Sequence, residues 1–185
     1  MSAEQPVFQA IKARRVSRSF SPDPIPRDKL VQLLTAARWA PSAGNRRIHK
    51  FIVVEQQQTI QLIRSVSPGM LAQPTALIVI CTDKVKAAEE EGVKLALDST
   101  TWIDVGAAAQ NMMLAAHELG LGACPTTSFS RSGVSTILNL PDGLEPEYIL
   151  QLGHPVSESR VMRAGVTTRL RVEDISYWGV FPEGS

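Results

Sequence analysis

The stretch from Asp104 to Leu119, DVGAAAQNMMLAAHEL, constrains the fold more than any other. Val105, Ala108, Met112, Ala116 and Leu119 recur at three- and four-residue intervals, the spacing of one helical face. Gly120 follows as a left-handed cap. The many alanines and Gly106 leave little side-chain bulk, so other elements can approach closely. The pattern predicts a buried helix at the centre of the domain. Asp104 at its start would cap free N–H groups and suit the helix dipole.

The flanking segments supply the layers around it. A short helix carries Val7, Phe8 and Ile11, and is ended by RRVSRSF and the proline-rich SPDPIP. A second helix is expected from Arg27 to Trp39, with Leu30, Val31, Leu33, Leu34 and Ala37 on its apolar face and Pro41 stopping it. Strands are expected at Lys50–Val54, Ala76–Cys81, Ala123–Thr127 and Tyr148–Leu152. Helices fall at Gln57–Val66 and Lys84–Leu97, the latter polar enough to be a surface element or flap, and a short one precedes the last strand. Without a steady βαβ rhythm, this mixture predicts an α+β layered domain spanning residues 1–185. The tail from Val166 to Phe181 carries Arg169, Arg171, Tyr177 and Trp178 but no core of its own, which suggests packing on a partner subunit.

Composition narrows the function. A net charge of +1 gives no global field toward nucleic acid or an anionic membrane, so an anion site must be built from local charge. Cys81 and Cys124 form no Cys-x-x-Cys pair and no cluster with His49, His117 or His154, which argues against zinc. The apolar run Ala76–Cys81 is too short to cross a bilayer, and MSAEQPVF lacks the form of a signal peptide, so the cytoplasm is expected. Neither a P-loop nor a Gly-x-Gly-x-x-Gly fingerprint is present.

Three local constellations remain. Arg14, Arg15 and Arg18 place three guanidiniums within five residues, and the nearest downstream carboxylate is Asp23. A phosphate dianion would relieve their repulsion through charge-assisted hydrogen bonds, while a solvated basic patch is the plainer account. Pro41-Ser42-Ala43-Gly44-Asn45 combines polar side chains with residues small enough for a planar ligand to approach, or is simply a turn. Gly120 to Ser128 passes from a helix end into a small, polar strand that could present N–H groups and hydroxyls to a ligand. Cys124 within it reads as a core residue, and His117 as structural.

In their order and spacing these segments resemble the nitroreductase superfamily across nearly the whole chain. RRVSRSF resembles that family's Arg-Arg-Ser-x-Arg-x-Phe, and APSAGN its Ala-Pro-Ser-x-x-Asn. The strand KFIVVE follows, and DVGAAAQNMMLAAHELGLG resembles an Asp-x-Gly-x-x-x-Gln-Asn helix ending in Gly-Leu-Gly. LGHP and the arginine-led RLRVEDISYW complete the series.

The resemblance implies a three-layer αβα fold with a mainly antiparallel central sheet flanked by helices. It implies a homodimer with one FMN per site at the subunit interface and the C-terminal tail exchanged between subunits. The implied activity is that of an FMN-dependent oxidoreductase taking hydride from NADH or NADPH and reducing nitro, quinone or similar small acceptors by a ping-pong scheme. A flavin dehydrogenase or reductive dehalogenase of the same fold, or a non-catalytic flavin-binding module, is the alternative. No catalytic acid or base is required, because the flavin carries the chemistry.

Carried over, Arg14, Arg15, Ser17 and Arg18 would surround the FMN phosphate and ribityl chain, with Arg169 adding a phosphate contact. Pro41, Ser42 and Asn45 would reach the flavin from the other subunit, and Thr126 and Thr127 would face its N5 edge, Thr127 tuning its potential. The chain departs from the pattern at Val16, where the family has serine, and Ser17 stands one place later. It departs again where Asn-x-Gln-Pro-Trp reads Asn45-Arg46-Arg47-Ile48-His49, which puts Arg47 near the flavin or at the interface and removes the tryptophan.

Overall fold

The computed structural model describes residues 5–89, 97–156 and 171–179. Its elements are α1 (Pro6–Ala13), α2 (Arg27–Arg38), β1 (His49–Val54), α3 (Gln57–Ser65), β2 (Ala76–Asp83), α4 (Lys84–Glu89), α5 (Leu97–Glu118), β3 (Gly122–Thr126), α6 (Arg131–Ile137) and β4 (Leu144–Gly153). Single 3₁₀ turns lie at Ala43–Asn45 and Val172–Asp174. The four strands form one antiparallel sheet in the order β1-β2-β4-β3.

The strand β2 shows why the fold has three layers. Its first seven residues are all buried, as expected of a strand covered on both faces. Ile78 and Ile80 point to one side, where they meet Leu150 and Leu152 of β4, Leu30 and Leu33 of α2, and Ala108 and Met112 of α5. Leu77, Val79 and Cys81 point to the other, against Ile149, Ile60 and Ile63 of α3, and Val134 of α6. The period-two alternation of one strand thus builds two cores, and the αβα layering follows.

Two expectations about α5 are corrected. The helix begins at Leu97, so Asp104 stands two turns inside it and caps no N-terminus. Gly106 faces open space with nothing within 4 Å of an added Cβ, so it is not where another element comes close. The close approach is made instead by Ala108, Ala109, Met112 and Ala116 against the sheet and α2. Lys29 Nζ reaches across from α2 to the carbonyl of Leu119 at 2.9 Å, which closes the C-terminal end of α5. The surface helix expected at Lys84–Leu97 is present as α4 through Glu89, and its remainder lies outside the described residues.

Candidate functional site

The arginine segment leaves α1 and lies along the sheet edge where β3 meets β4. Ser17 N–H donates to the Ala123 carbonyl at 3.0 Å, and Ser21 N–H to that of His154 at 2.9 Å. Val156 N–H returns a bond to the Ser19 carbonyl at 3.2 Å, and Phe20 bridges Pro155. Beneath this segment Gly122 and Gly153 face each other across the two strands. A Cβ on Gly153 would lie 2.7 Å from both Cβ and Cγ of Phe20. One on Gly122 would lie 2.7 Å from Ser17 Cβ and 2.9 Å from the Phe20 ring. Only glycine leaves room for that approach. Three motifs distant in sequence, RRVSRSF, Gly-Leu-Gly and LGHP, are therefore one mechanical unit.

Within it the cations differ. Arg15 folds back on the end of α1, its Nη1 donating to the carbonyls of Lys12 and Arg14 at 2.6 and 2.9 Å. Arg14 is half-buried and acts on Tyr148: burial pushes that phenol up to about 12, Cys124 adds to the rise, and the guanidinium opposes it. Neither Arg14 nor Arg15 forms an ion pair with a carboxylate among the described residues. Arg18 is exposed and Val16 half-buried. Ser17 is turned onto Gly122, so the serine that shifted by one place serves the seat rather than the outer face.

The PSAGN turn stands at the other half of α5. Both carboxylate oxygens of Asp104 accept the Ala43 N–H at 3.1 Å. Seven residues on, and hence on the same face, Asn111 Nδ2 donates to the Ala36 carbonyl at 3.2 Å. This is the physical content of the Asp-x-Gly-x-x-x-Gln-Asn pattern: its first and last residues hold the end of α2 and the turn beyond it. Sequence reasoning missed both roles, although their seven-residue spacing was the available signal. The turn is tight, with Gly44, Asn45 and Arg47 at φ of 62°, 53° and 52°. Asn tolerates this region, but Arg seldom adopts it. Arg47 is braced by its own Nε–H to Asn45 Oδ1 at 3.3 Å, and Arg46 Nε donates to the Ala43 carbonyl at 3.1 Å. Pro41, Asn45 and Arg47 are exposed, and Ser42 is half-buried.

Behind the turn, His49 lies in a cavity with Asp104. Its Nε2 is buried without a hydrogen-bond partner. Burial holds its pKa below 6.5, and Asp104 partly opposes the shift.

At the far end of β3, Thr126 and Thr127 part company. Thr126 is buried, and its hydroxyl accepts from Gln151 Nε2 at 2.6 Å, whereas Thr127 is exposed. The turn Ser67–Met70 closes over this end through Gly69 N–H to the Ser128 carbonyl at 3.0 Å, a neighbour that the sequence did not suggest. Arg169 lies outside the described residues, as does most of the tail. Among the described residues there is no group of three metal-ligating side chains, and no helix long and apolar enough to cross a membrane.

A three-layer αβα domain with a cationic segment seated on one sheet edge, and a small-residue turn pinned to the central helix, defines a recognisable class. The nitroreductase family model matches residues 11–154, and the chain belongs to that family. A Methanothermobacter thermautotrophicus protein, provisionally named an NADH dehydrogenase/NAD(P)H nitroreductase, is 31% identical over 80% of this chain and 77% of its own length. A Bacillus subtilis FMN reductase [NAD(P)H] is 26% identical, with coverages of 83% and 67%. The structure of a nitroreductase family protein from Clostridium difficile 630 superposes with a TM-score of 0.78 at 26% identity, covering 96% of this chain and 100% of that one.

Proposed function

We propose that the chain is an FMN-dependent NAD(P)H oxidoreductase acting on small acceptors such as nitro compounds and quinones, working as a homodimer with one FMN at each interface. The observation that carries this reading is the seated arginine segment. Arg14 and Arg15 are held at this edge with no carboxylate partner among the described residues, and a phosphate is the ligand that such charge fits. When bound, FMN would supply the chemistry, accepting hydride from the nicotinamide and passing electrons to the second substrate.

The chain's own residues then have distinct tasks. Arg14 and Arg18 hold the phosphate, while Arg15 shapes the turn out of α1 through its two carbonyl contacts and lends its charge. Thr127, exposed at the opposite end of β3, donates a hydrogen bond to the N5 edge. Four residue steps along the strand separate it from Ala123, beside which the arginine segment lies, a span of about 13 Å. Thr126 supports Thr127 from within through Gln151.

The PSAGN turn belongs to the partner's site. Asp104 and Glu118 are 14 residues apart on α5, about 21 Å along the axis. The turn sits at the first and α1 with its arginine segment beside the second, so one protomer does not bring both to one small flavin. Exposed Val7, Phe8, Trp102 and Ile103 supply apolar surface for a second copy to cover. The segment from Arg171 to Gly179, with Ile175, Tyr177 and Trp178 exposed, has the character of an arm exchanged between subunits, and Arg169, outside the described residues, would add a phosphate contact.

The test is anaerobic reduction of the purified yellow protein with NADH and NADPH in turn. Bleaching by one of them is expected. A flavin that dithionite reduces and neither nucleotide does would remove the chain from the NAD(P)H oxidoreductases. Arg14→Ala should release FMN, and a variant that kept its full complement would count against the phosphate site.

A further inference from the structure

The cavity behind the PSAGN turn is bordered by Pro41 and Ser42 of that turn, and the reading above makes no use of its interior. It has a volume of about 250 Å³ and is walled by Leu34, Ala37, Phe51 and Ala108, with Arg47, His49 and Asp104 on its polar side. It is larger than the ~150 Å³ that accommodates a benzene ring, and smaller than the ~300 Å³ at which most sites for drug-sized ligands begin. A six-membered ring with a substituent therefore fits within it. His49, at the position where the family pattern has tryptophan, is one of the residues on its wall.

The polar side is unbalanced in a specific way. Asp104 turns both oxygens to the Ala43 N–H, each at 3.1 Å. Arg47 spends only its Nε–H, on Asn45, and its two terminal NH2 groups bond nothing among the described residues. His49 Nε2 is buried and unpartnered. A buried polar atom without a partner is uncommon in folded proteins and calls for a reason. The donors left over suit an anion, and the aliphatic and aromatic wall suits a ring.

We propose that this cavity is a binding site for a single-ring aromatic carboxylate. The ring lies between Phe51 and the α2–α5 wall, and the carboxylate is received by the Arg47 guanidinium and by His49, in the tautomer that protonates Nε2. Every residue of the site comes from one protomer, and its wall includes Pro41 and Ser42 of the turn that the flavin reading gives to the partner's site.

The test titrates the purified protein, with its flavin, against benzoate by calorimetry, with benzamide as the uncharged ring and cyclohexanecarboxylate as the charged non-aromatic. Benzoate is expected to bind at least tenfold more tightly than either. His49→Trp, which restores the family residue and fills the space, should weaken benzoate at least tenfold while flavin content and melting temperature are kept. Leu34→Phe narrows the same space from α2 and should act in the same direction. Arg47→Gln should remove the preference for benzoate over benzamide. No saturable benzoate binding overturns the proposal. So does binding that both filling variants leave unchanged, because the anion then sits elsewhere, as on the flavin itself.

Discussion

At one end of α5 the arginine segment is fastened by main-chain hydrogen bonds to Ala123, His154 and Val156, and by two glycines that admit Phe20 and Ser17. Toward the other end the PSAGN turn is fastened to the helix by one carboxylate, that of Asp104. The first anchorage is distributed and steric. The second is a point contact, backed by a turn that strains Arg47 into an uncommon conformation. A distributed seat holds a charge cluster in register whatever its side chains do. A point anchor leaves a turn able to adapt to what lies against it, which suits the element expected to meet a second subunit.

The largest effect should come from filling the seat. Gly153→Ala drives a Cβ into the Cβ and Cγ of Phe20, atoms too near the backbone to swing aside. A loss of about 1–3 kcal/mol in denaturant unfolding is expected, together with FMN affinity lower by about tenfold or more. Gly122→Ala should act similarly but be partly rescued by Ser17→Gly, since Ser17 supplies the two shortest of the three contacts. Failure of that rescue would show that the seat is not steric. Next, Asp104→Ala should cost about 1–3 kcal/mol by leaving the Ala43 N–H without its acceptor. Hydrogen exchange at Ala43 should quicken while that at Ser17 and Ser21 holds. Matching acceleration at both ends would erase the contrast between the anchors.

A smaller effect is expected from pH. His49 has a folded pKa below the 6.5 of the free side chain, so below pH 6.5 the unfolded state takes up its proton first. The stabilisation is fully present above pH 6.5 and is lost as pH falls through His49's lowered value. A plot of Tm against pH should therefore be flatter for His49→Gln than for the native chain. In Asp104→Asn, where the opposing carboxylate is gone, the loss should extend to lower pH. Smallest of all, Arg15→Ala should change stability by no more than about 0.5 kcal/mol, since its bonds are exposed. It should also lower FMN affinity less than Arg14→Ala.

Much of this architecture was legible in the sequence. The buried run Ala76–Cys81 and the periodic helix before Gly120 identified their elements, because hydrophobic burial imprints its pattern on the chain. The order of RRVSRSF, APSAGN, Gly-Leu-Gly and LGHP identified the family. What could not be read were contacts between segments far apart. Asp104 looked like a helix cap because the weakly patterned turn before it, Leu97 to Ile103, did not announce itself as helix. Thr126 and Thr127 looked equivalent, since nothing in the sequence said that Gln151 would claim the first. Gly122 and Gly153 stood only as members of the Gly-Leu-Gly and LGHP motifs, and their pairing beneath Phe20 shows that they are an aperture.

That aperture ties the candidate cofactor grip to the integrity of a sheet edge. A β3–β4 edge that frays, even briefly and without general unfolding, carries the arginine segment with it. Flavin release would then gauge local opening: warmed slowly, the protein should lose its yellow colour before it loses its helices, by an interval that measures how much earlier this corner lets go than the two cores behind it.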